Sequence, residues 1–172
     1  MFRDRALALL QIAVIWVVCW LAYVYGRPLA PTPVAADVTA RLVFAIEWLI
    51  VPGVLLLVCT LVTMTYRLWT TKEALYGTRT PKSHFLEINL RVTQNTLEQG
   101  FLAVIAWCGL AVTLPADRLG IVPVLAALFA AGRILFWIGY QYHPIARALG
   151  FGITAVPTAI AILWLAWRLL SG

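Results

Sequence analysis

Charged side chains are scarce in this sequence, and acidic ones are scarcer than basic ones. The 172 residues include 13 Lys and Arg but only seven Asp and Glu, so that 12% of the chain is charged while 63% is hydrophobic. Soluble domains are typically about half apolar and about a quarter charged. The shortage of charge therefore excludes a water-soluble globular protein and indicates an integral membrane protein.

Residues for metal binding and acid–base chemistry are also rare, with two His and three Cys. Cys19, Cys59 and Cys108 lie within apolar runs and lack the spacing of metal ligands, so we expect buried free thiols. His84 and His143 lie in predicted connectors, where we expect them to be solvated. The absence of Walker and dinucleotide glycine patterns argues against a nucleotide-dependent enzyme. The net charge of +6 is scattered along the chain, so nucleic-acid binding is not expected.

Hydrophobic runs predict five membrane spans and an all-α integral membrane fold. The runs are Ala6–Tyr25, Leu42–Tyr66, Leu86–Leu114, Leu119–Tyr142 and Ala148–Trp167. The first run has the basic flank of a signal peptide, but its 20 uncharged residues are long for that role, so we expect a retained helix. Pro52 predicts a kink in the second span. The longest connector, residues 70–84, is too short to be a domain.

Basic residues in the connectors indicate the orientation, because Lys and Arg favour the cytoplasmic side of a membrane. With the N-terminus inside, seven basic residues fall on that side and four on the other. We therefore expect a cytoplasmic N-terminus and a C-terminus on the opposite side.

The stretch RVTQNTLEQG, residues 91–100, is unexpected within a membrane span. The uncharged run that follows it, Phe101–Leu114, has 14 residues. At ~1.5 Å per residue this run covers roughly 21 Å, whereas the hydrocarbon core is about 30 Å thick. The polar residues therefore lie within the membrane. Arg91, Asn95 and Glu98 share one helical face because their spacing is i, i+4, i+7.

A second charged residue lies at the same depth in the fourth span. Arg133 is about 14 residues into that span, and a charge there costs ~2.5 kcal/mol or much more unless it faces a bundle interior or a watery cavity. Tyr140 follows on the same helical face at i+7. Arg147 opens the fifth span and Arg67 closes the second. Antiparallel neighbours with short loops bring these residues to one level of the bundle.

Structural explanations exist for several of these residues taken singly. Arg67 and Arg147 could reach lipid headgroups from the span ends, and Tyr140 could be an interfacial aromatic. Arg91 could pair with Glu87 or with the glutamate of its own cluster. These alternatives leave open a bundle whose charges only pair with one another.

The charges also suggest a ligand. The predicted cluster has a net charge of +2, from Arg91, Arg133 and Arg147 against Glu98. This charge favours a small anion with several carboxylates or phosphates, since Arg binds both in bidentate fashion. The single acid suggests that the ligand also has an ammonium group. The sequence therefore predicts an anion-binding pocket at a membrane depth.

Two motifs resemble the signatures of the MAPEG family, the membrane-associated proteins in eicosanoid and glutathione metabolism. Arg91-x3-Asn95-x2-Glu98 resembles the R-x3-N-x2-E motif of that family. GRILFWIGYQYHPIAR, residues 132–147, resembles its Arg–aromatic–Gly-Tyr segment with a further Arg. Phe136 stands where several glutathione-using members have a tyrosine.

The resemblance covers about residues 42–170, with four spans in the order of the family. It implies a MAPEG-like four-helix transmembrane bundle in residues 41–172, preceded by one additional N-terminal transmembrane helix and its loop in residues 1–40. It further implies a homotrimer that binds glutathione between subunits at the cytoplasmic side. The second substrate would be a lipophilic molecule that arrives from the membrane lipids.

The resemblance also implies roles for individual residues. Arg147 matches the arginine that stabilises the glutathione thiolate in the leukotriene synthase branch, and is the expected catalytic residue. Six residues are expected to bind glutathione as co-substrate: Arg91, Asn95, Glu98, Arg133, Tyr140 and Arg67.

The expected function is therefore a membrane-bound glutathione transferase, with peroxidase activity as a variant of the same chemistry. Glutathione with an ionised thiol carries a net charge of −2, which suits a pocket of net charge +2. A different class of function is also open, namely a non-catalytic lipid-binding or partner-binding membrane protein on the same scaffold. A purely structural charge network is the third interpretation.

Overall fold

The computed structural model of the protein describes residues 2–35, 37–70, 83–142 and 146–172. In this part of the chain every regular element is helical, and five helical segments are long and apolar enough to cross a membrane. They are Leu7–Leu29, Val38–Trp69, His84–Thr113, Ala116–Tyr142 and Arg147–Ser171. The predicted all-α membrane fold is therefore confirmed. Most of the predicted connector 70–84, and His143, lie outside the described residues.

Within these spans we label the main helices in chain order. They are α1 (Phe2–Leu21), α2 (Val38–Trp48), α3 (Ile50–Thr70), α4 (His84–Thr113), α5 (Ile121–Tyr142) and α6 (Arg147–Ser171). A π-helical segment, Ala22–Gly26, and a last turn, Arg27–Leu29, extend α1. Asp37 caps the start of α2, where its carboxylate accepts a hydrogen bond from the Ala40 amide at 3.1 Å.

The second span consists of two helices because of a proline. Pro52 has no N–H to donate to the carbonyl of Trp48, four residues earlier, and Trp48 is the last residue of α2. At this break the Leu49 amide donates to the Ile46 carbonyl, three residues earlier, at 3.0 Å. The regular α-helical pattern resumes where the Gly53 amide donates to the Leu49 carbonyl at 3.2 Å. The predicted disturbance at Pro52 therefore lies one turn before the proline itself.

Successive spans run in alternating directions, so their ends gather at two levels. The connector end is the level at which α3 ends and α4 begins, and the turn end is the level of the turn between α4 and α5. At the turn end the side chains of Arg41 and Arg168 donate hydrogen bonds to the Leu114 and Thr113 carbonyls. These arginines satisfy carbonyls that the end of α4 leaves without an intrahelical partner.

The core lies between α4, α5 and α6, and α1 is an outer helix. The α5 span is the most buried of the five at 56%, and the α1 span is the least at 6%. Trp107 and Phe129 are fully buried in a T-shaped contact with ring centres 6.3 Å apart. Ile15 anchors α1 on α6, because a Cβ at Gly152 would come within 2.2 Å of its Cδ1 atom. This close fit fixes where α1 docks.

Candidate functional site

The polar face of α4 forms one wall of a cavity of about 640 Å³ near the connector end. Helical spacing of i, i+3, i+4 and i+7 brings Arg91, Gln94, Asn95 and Glu98 to that wall. The remaining lining residues come mainly from the end of α5 and the start of α6, and are Leu90, Phe136, Tyr140, Arg147, Ala148 and Phe151. The volume is typical of small-molecule sites, which span roughly 300–1,000 Å³.

Arg147 and Tyr140 form a cation–π pair in this cavity. The Arg147 guanidinium carbon lies 4.4 Å from the centre of the Tyr140 ring. Gly139 permits the arrangement, because a Cβ there would come within 2.8 Å of the Ala146 carbonyl group and the Arg147 nitrogen. Any side chain at position 139 would push the start of α6 away from the end of α5. The glycine therefore determines where Arg147 meets the cavity.

Arg133 lies behind the cavity wall, with only 3% of its surface exposed. Its Nη1 donates to the Asn95 Oδ1 at 2.6 Å, and its Nε donates to the Thr154 Oγ1 at 3.2 Å. The guanidinium carbon lies 4.7 Å from the Phe136 ring centre and 5.9 Å from that of Phe129. Arg133 therefore joins α4, α5 and α6, and it orients Asn95, which does line the cavity.

Two side-chain pairs on α4 modify the charge of the cavity. The Arg91 Nη2 contacts the Glu87 Oε1 at 2.6 Å, and both side chains are more than half exposed. Glu98 accepts a hydrogen bond from the Gln94 Nε2 at 3.0 Å. Because Glu87 partly neutralises Arg91, the excess of positive charge is smaller than the sequence count of +2.

The structure brings most of the predicted site residues to one place. Five of them line the cavity, namely Arg91, Asn95, Glu98, Tyr140 and Arg147. Arg133 reaches it only through Asn95. Arg67, in the last turn of α3, is not among the residues that line the cavity of its own chain. Within one chain, neither Arg67 nor Arg133 therefore lines the cavity in which a ligand would lie.

Gln94, Phe151 and Thr154 are among the residues of the site that sequence reasoning missed. Gln94 follows Arg91 at i+3, so helical periodicity was a sufficient signal for it. Phe151 follows Arg147 at i+4 and was detectable in the same way. Thr154 gave no signal in the sequence, because its bond to the buried arginine of α5 depends on how α6 packs against that helix.

One side of the cavity is open in the single chain. Arg91 and Glu98 are both exposed, although they lie within a candidate membrane span. Charged residues at such depths face protein or water rather than lipid. The polar face of α4 therefore faces protein or water and not lipid.

A resident metal finds no support in the described part of the chain. No group of three or more His, Cys, Asp or Glu residues there could hold a metal ion. The cysteines are free thiols, with Cys59 buried and Cys19 and Cys108 half-buried. The lining residues instead suit an organic ligand with charged ends.

Comparisons with known proteins match different shares of the chain. Transmembrane protein 79 of Bos taurus is 35% identical over 51 residues, which are 30% of this chain and 13% of that protein. The Mus musculus protein of the same name is 33% identical over 51 residues, with the same shares. The chain thus matches a small part of the length of these relatives, and no solved structure matches it. The family model of the MAPEG family matches residues 45–167, which include every residue that lines the cavity, and the chain therefore belongs to the MAPEG family.

Proposed function

We propose that the protein is a membrane-bound glutathione transferase that acts on lipophilic electrophiles. The observation that carries the proposal is the convergence of Arg91, Asn95, Glu98, Tyr140 and Arg147 on one cavity within the membrane spans. Membership of the MAPEG family supports a role in glutathione or eicosanoid metabolism in general.

The lining residues fit the groups that glutathione offers. Arg91 suits a carboxylate, and Glu98 suits the ammonium group. Gln94 and Asn95 suit the peptide groups, because amide side chains both donate and accept hydrogen bonds. Arg133 can only donate, so it must bond the Asn95 oxygen, which leaves the Asn95 nitrogen to donate to a ligand. Arg133 is in this way a positioning residue.

Arg147 is the proposed catalytic residue. The unperturbed pKa of a cysteine-type thiol is about 8.5, and a nearby guanidinium lowers it by stabilising the thiolate. Arg147 therefore favours loss of the thiol proton to solvent without a general base. Tyr140 holds the guanidinium through their stacked contact at 4.4 Å.

The bond changes in the transfer follow from this activation. The thiolate electron pair forms an S–C bond at the electrophilic carbon, and the group that leaves this carbon takes the electrons of the broken bond and a proton from water. A lipid hydroperoxide would instead be attacked at its terminal oxygen. The terminal hydroxyl group then transfers to sulfur as the O–O bond breaks, which gives glutathione sulfenic acid and an alkoxide that takes a proton from water to become an alcohol. A second glutathione condenses with the sulfenic acid to give glutathione disulfide and water.

The assembly that we propose is a homotrimer with the site on the cytoplasmic side. A neighbouring subunit would cover the exposed polar face of α4, and MAPEG proteins are typically trimeric membrane proteins. Arg67 does not line the cavity of its own chain, so its proposed contact with glutathione requires a second subunit. We also propose residues 1–40 as an addition to a four-helix domain at residues 41–172, in keeping with a family match that begins at residue 45.

A second candidate function is lipid binding without catalysis. Four of the lining residues are apolar, namely Leu90, Phe136, Ala148 and Phe151. Glu87 also draws the Arg91 guanidinium into an ion pair at 2.6 Å. Both features would suit an acyl chain with a single carboxylate.

A glutathione titration distinguishes the two candidates. Purified protein in detergent is titrated with glutathione at neutral pH while the ultraviolet absorbance of the thiolate is followed. Arg147→Ala is the test variant, and Arg168→Ala is the matched control because Arg168 lies at the other end of α6. We expect a saturable thiolate signal in the wild type and the control, and no signal in Arg147→Ala.

The proposal fails if the wild type shows neither a thiolate signal nor thermal stabilisation by glutathione. Stabilisation by a fatty acid in that case would favour the non-catalytic candidate. Equal loss of the signal in Arg147→Ala and Arg168→Ala would remove Arg147 from its catalytic role.

A further inference from the structure

A second cavity, of about 480 Å³, lies at the turn end and shares no lining residue with the first. The extended α1 helix forms one wall, and α5 and α6 form the other. We call this cavity the turn-end groove. Most of its lining is aliphatic, and its aromatic and charged members are Trp16, Trp20, Tyr23, Trp164, Arg27 and Arg118.

The length of the turn-end groove matches one leaflet of a bilayer. Arg27 follows Trp16 by 11 residues, which is ~16 Å along a helix. The hydrocarbon core is about 30 Å thick, so one leaflet contributes about 15 Å. Trp16 and Trp20 are 53% and 59% exposed, so the α1 wall is open to the surroundings of the bundle. A lipid chain could therefore enter sideways from a single leaflet.

The charged end of the groove is basic. The Arg27 Nη1 donates to the Tyr23 hydroxyl at 3.1 Å and its guanidinium lies 5.5 Å from the Tyr23 ring centre, which holds the side chain in place. The Arg118 side chain is exposed, and none of the described residues that line the groove is acidic. Asp117 lies beside Arg118 in the chain but outside the lining.

The other two arginines at this end have a different use. Arg41 and Arg168 both donate to carbonyls at the end of α4 and do not line the groove. Arg27 and Arg118 are thus the pair that faces the groove at the membrane boundary. Two guanidinium groups suit a phosphate, and their combined positive charge disfavours a headgroup that also carries a cation.

We infer that the turn-end groove binds an anionic phospholipid, with its phosphate held by Arg27 and Arg118 and one acyl chain along the apolar wall. A transmembrane helix of a partner protein spans about 30 Å, which is twice the length of the groove. The inference does not depend on the proposed glutathione site, because the two cavities share no residue.

Lipid competition tests the inference. Purified wild-type protein is placed in mixed micelles with equal amounts of phosphatidylglycerol and phosphatidylcholine that carry identical acyl chains. Retained lipids are counted by native mass spectrometry. The test variants are Arg27→Gln with Arg118→Gln, and Ile160→Trp, which fills the groove but keeps both arginines. Arg168→Gln removes one positive charge at the same end without changing a residue that lines the groove, and is the control for loss of surface charge.

We expect the wild type and the control to prefer phosphatidylglycerol by roughly 10- to 30-fold, as two basic residues at a membrane surface allow. The double variant should lose the preference, and Ile160→Trp should lose the retained lipid altogether. Equal retention of the two lipids by the wild type would overturn the inference. An equal loss of preference in Arg168→Gln would overturn it too, because surface charge in general would then be the cause. Complete displacement of the lipid by inorganic phosphate would also overturn the inference, because the acyl chain would then contribute nothing to binding.

Discussion

The bond between Arg133 and Asn95 offers a quantitative test of the buried network. Arg133 is almost completely buried and donates to Asn95 at 2.6 Å, from one helix to another. Replacing Arg133 alone is not decisive. The loss of hydrogen bonds to a charged group, ~1.5–3 kcal/mol each, is opposed by the removal of a desolvation penalty of several kcal/mol.

A double-mutant cycle isolates the pair from these opposing effects. Arg133→Met, Asn95→Leu and the double variant are compared with the wild type by reversible unfolding in mixed micelles. Neutral hydrogen bonds between membrane helices average about 0.6 kcal/mol, whereas a charged donor raises the expectation to ~1.5–3 kcal/mol. We therefore expect a coupling free energy in the higher range.

The control cycle uses a pair of the same length in a different environment. Arg91 and Glu87 are also 2.6 Å apart, but both side chains are more than half exposed. Their coupling should be clearly smaller, because solvent screens exposed pairs. A coupling for Arg133 and Asn95 of about 0.6 kcal/mol or less, or one no larger than that of the exposed pair, would refute the view of Arg133 as a charged clamp on the cavity wall.

Three further predictions concern the cavity and its support. Gly139→Ala should lower the free energy of unfolding by about 1–3 kcal/mol and weaken glutathione binding, because the added Cβ displaces Arg147. Thermal unfolding measures the first effect, and the thiolate titration measures the second. Arg41→Met should lower the free energy of unfolding by about 1–3 kcal/mol, because it leaves the Leu114 carbonyl without its hydrogen-bond donor. Unfolding in mixed micelles measures the change. Phe136→Tyr should tighten glutathione binding by up to roughly tenfold in calorimetry, because it adds a hydroxyl to the cavity lining.

Each of these predictions has a contrary result. Unchanged glutathione binding in Gly139→Ala would mean that the start of α6 does not position Arg147 for the proposed function. Arg41→Met with unaltered stability would mean that water satisfies the freed carbonyl. Phe136→Tyr with weaker binding would mean that the ring is needed where it covers the buried arginine, 4.7 Å from its guanidinium carbon.

Much of the fold and one wall of the cavity follow from the sequence, because each depends on local periodicity. Hydrophobic runs located the spans, and the spacing of Arg91, Asn95 and Glu98 placed them on one face of α4. The break before Pro52 also follows from local chemistry, because a proline removes one backbone donor.

The position of Arg133 could not be derived in the same way. It shares a helical face with Phe136 and Tyr140 by spacing, and both of those residues line the cavity. However, α5 is the most buried span, so it has neighbours on most of its sides and a shared face does not identify a shared surface. Only the packing of α4 and α6 around it decides that Arg133 lies behind the wall.

The turn-end groove was likewise hidden from the sequence. It exists because α1 docks on α6, and that docking depends on the contact of Ile15 with Gly152. No periodic pattern links a residue near the start of the chain with one near its end.

The buried arginine also has a consequence for the synthesis of the protein. Moving α5 alone into the bilayer would carry an unpaired charge into hydrocarbon. Asn95, which accepts the shorter of the two hydrogen bonds from Arg133, lies on α4 and is made before it, whereas Thr154 on α6 is made after it. The turn at Ala116–Arg118 is short enough for α4 and α5 to enter the bilayer as a hairpin. Arg133 can then bond Asn95 during insertion. The burial of Arg133 is completed when α6 leaves the ribosome and packs against α5.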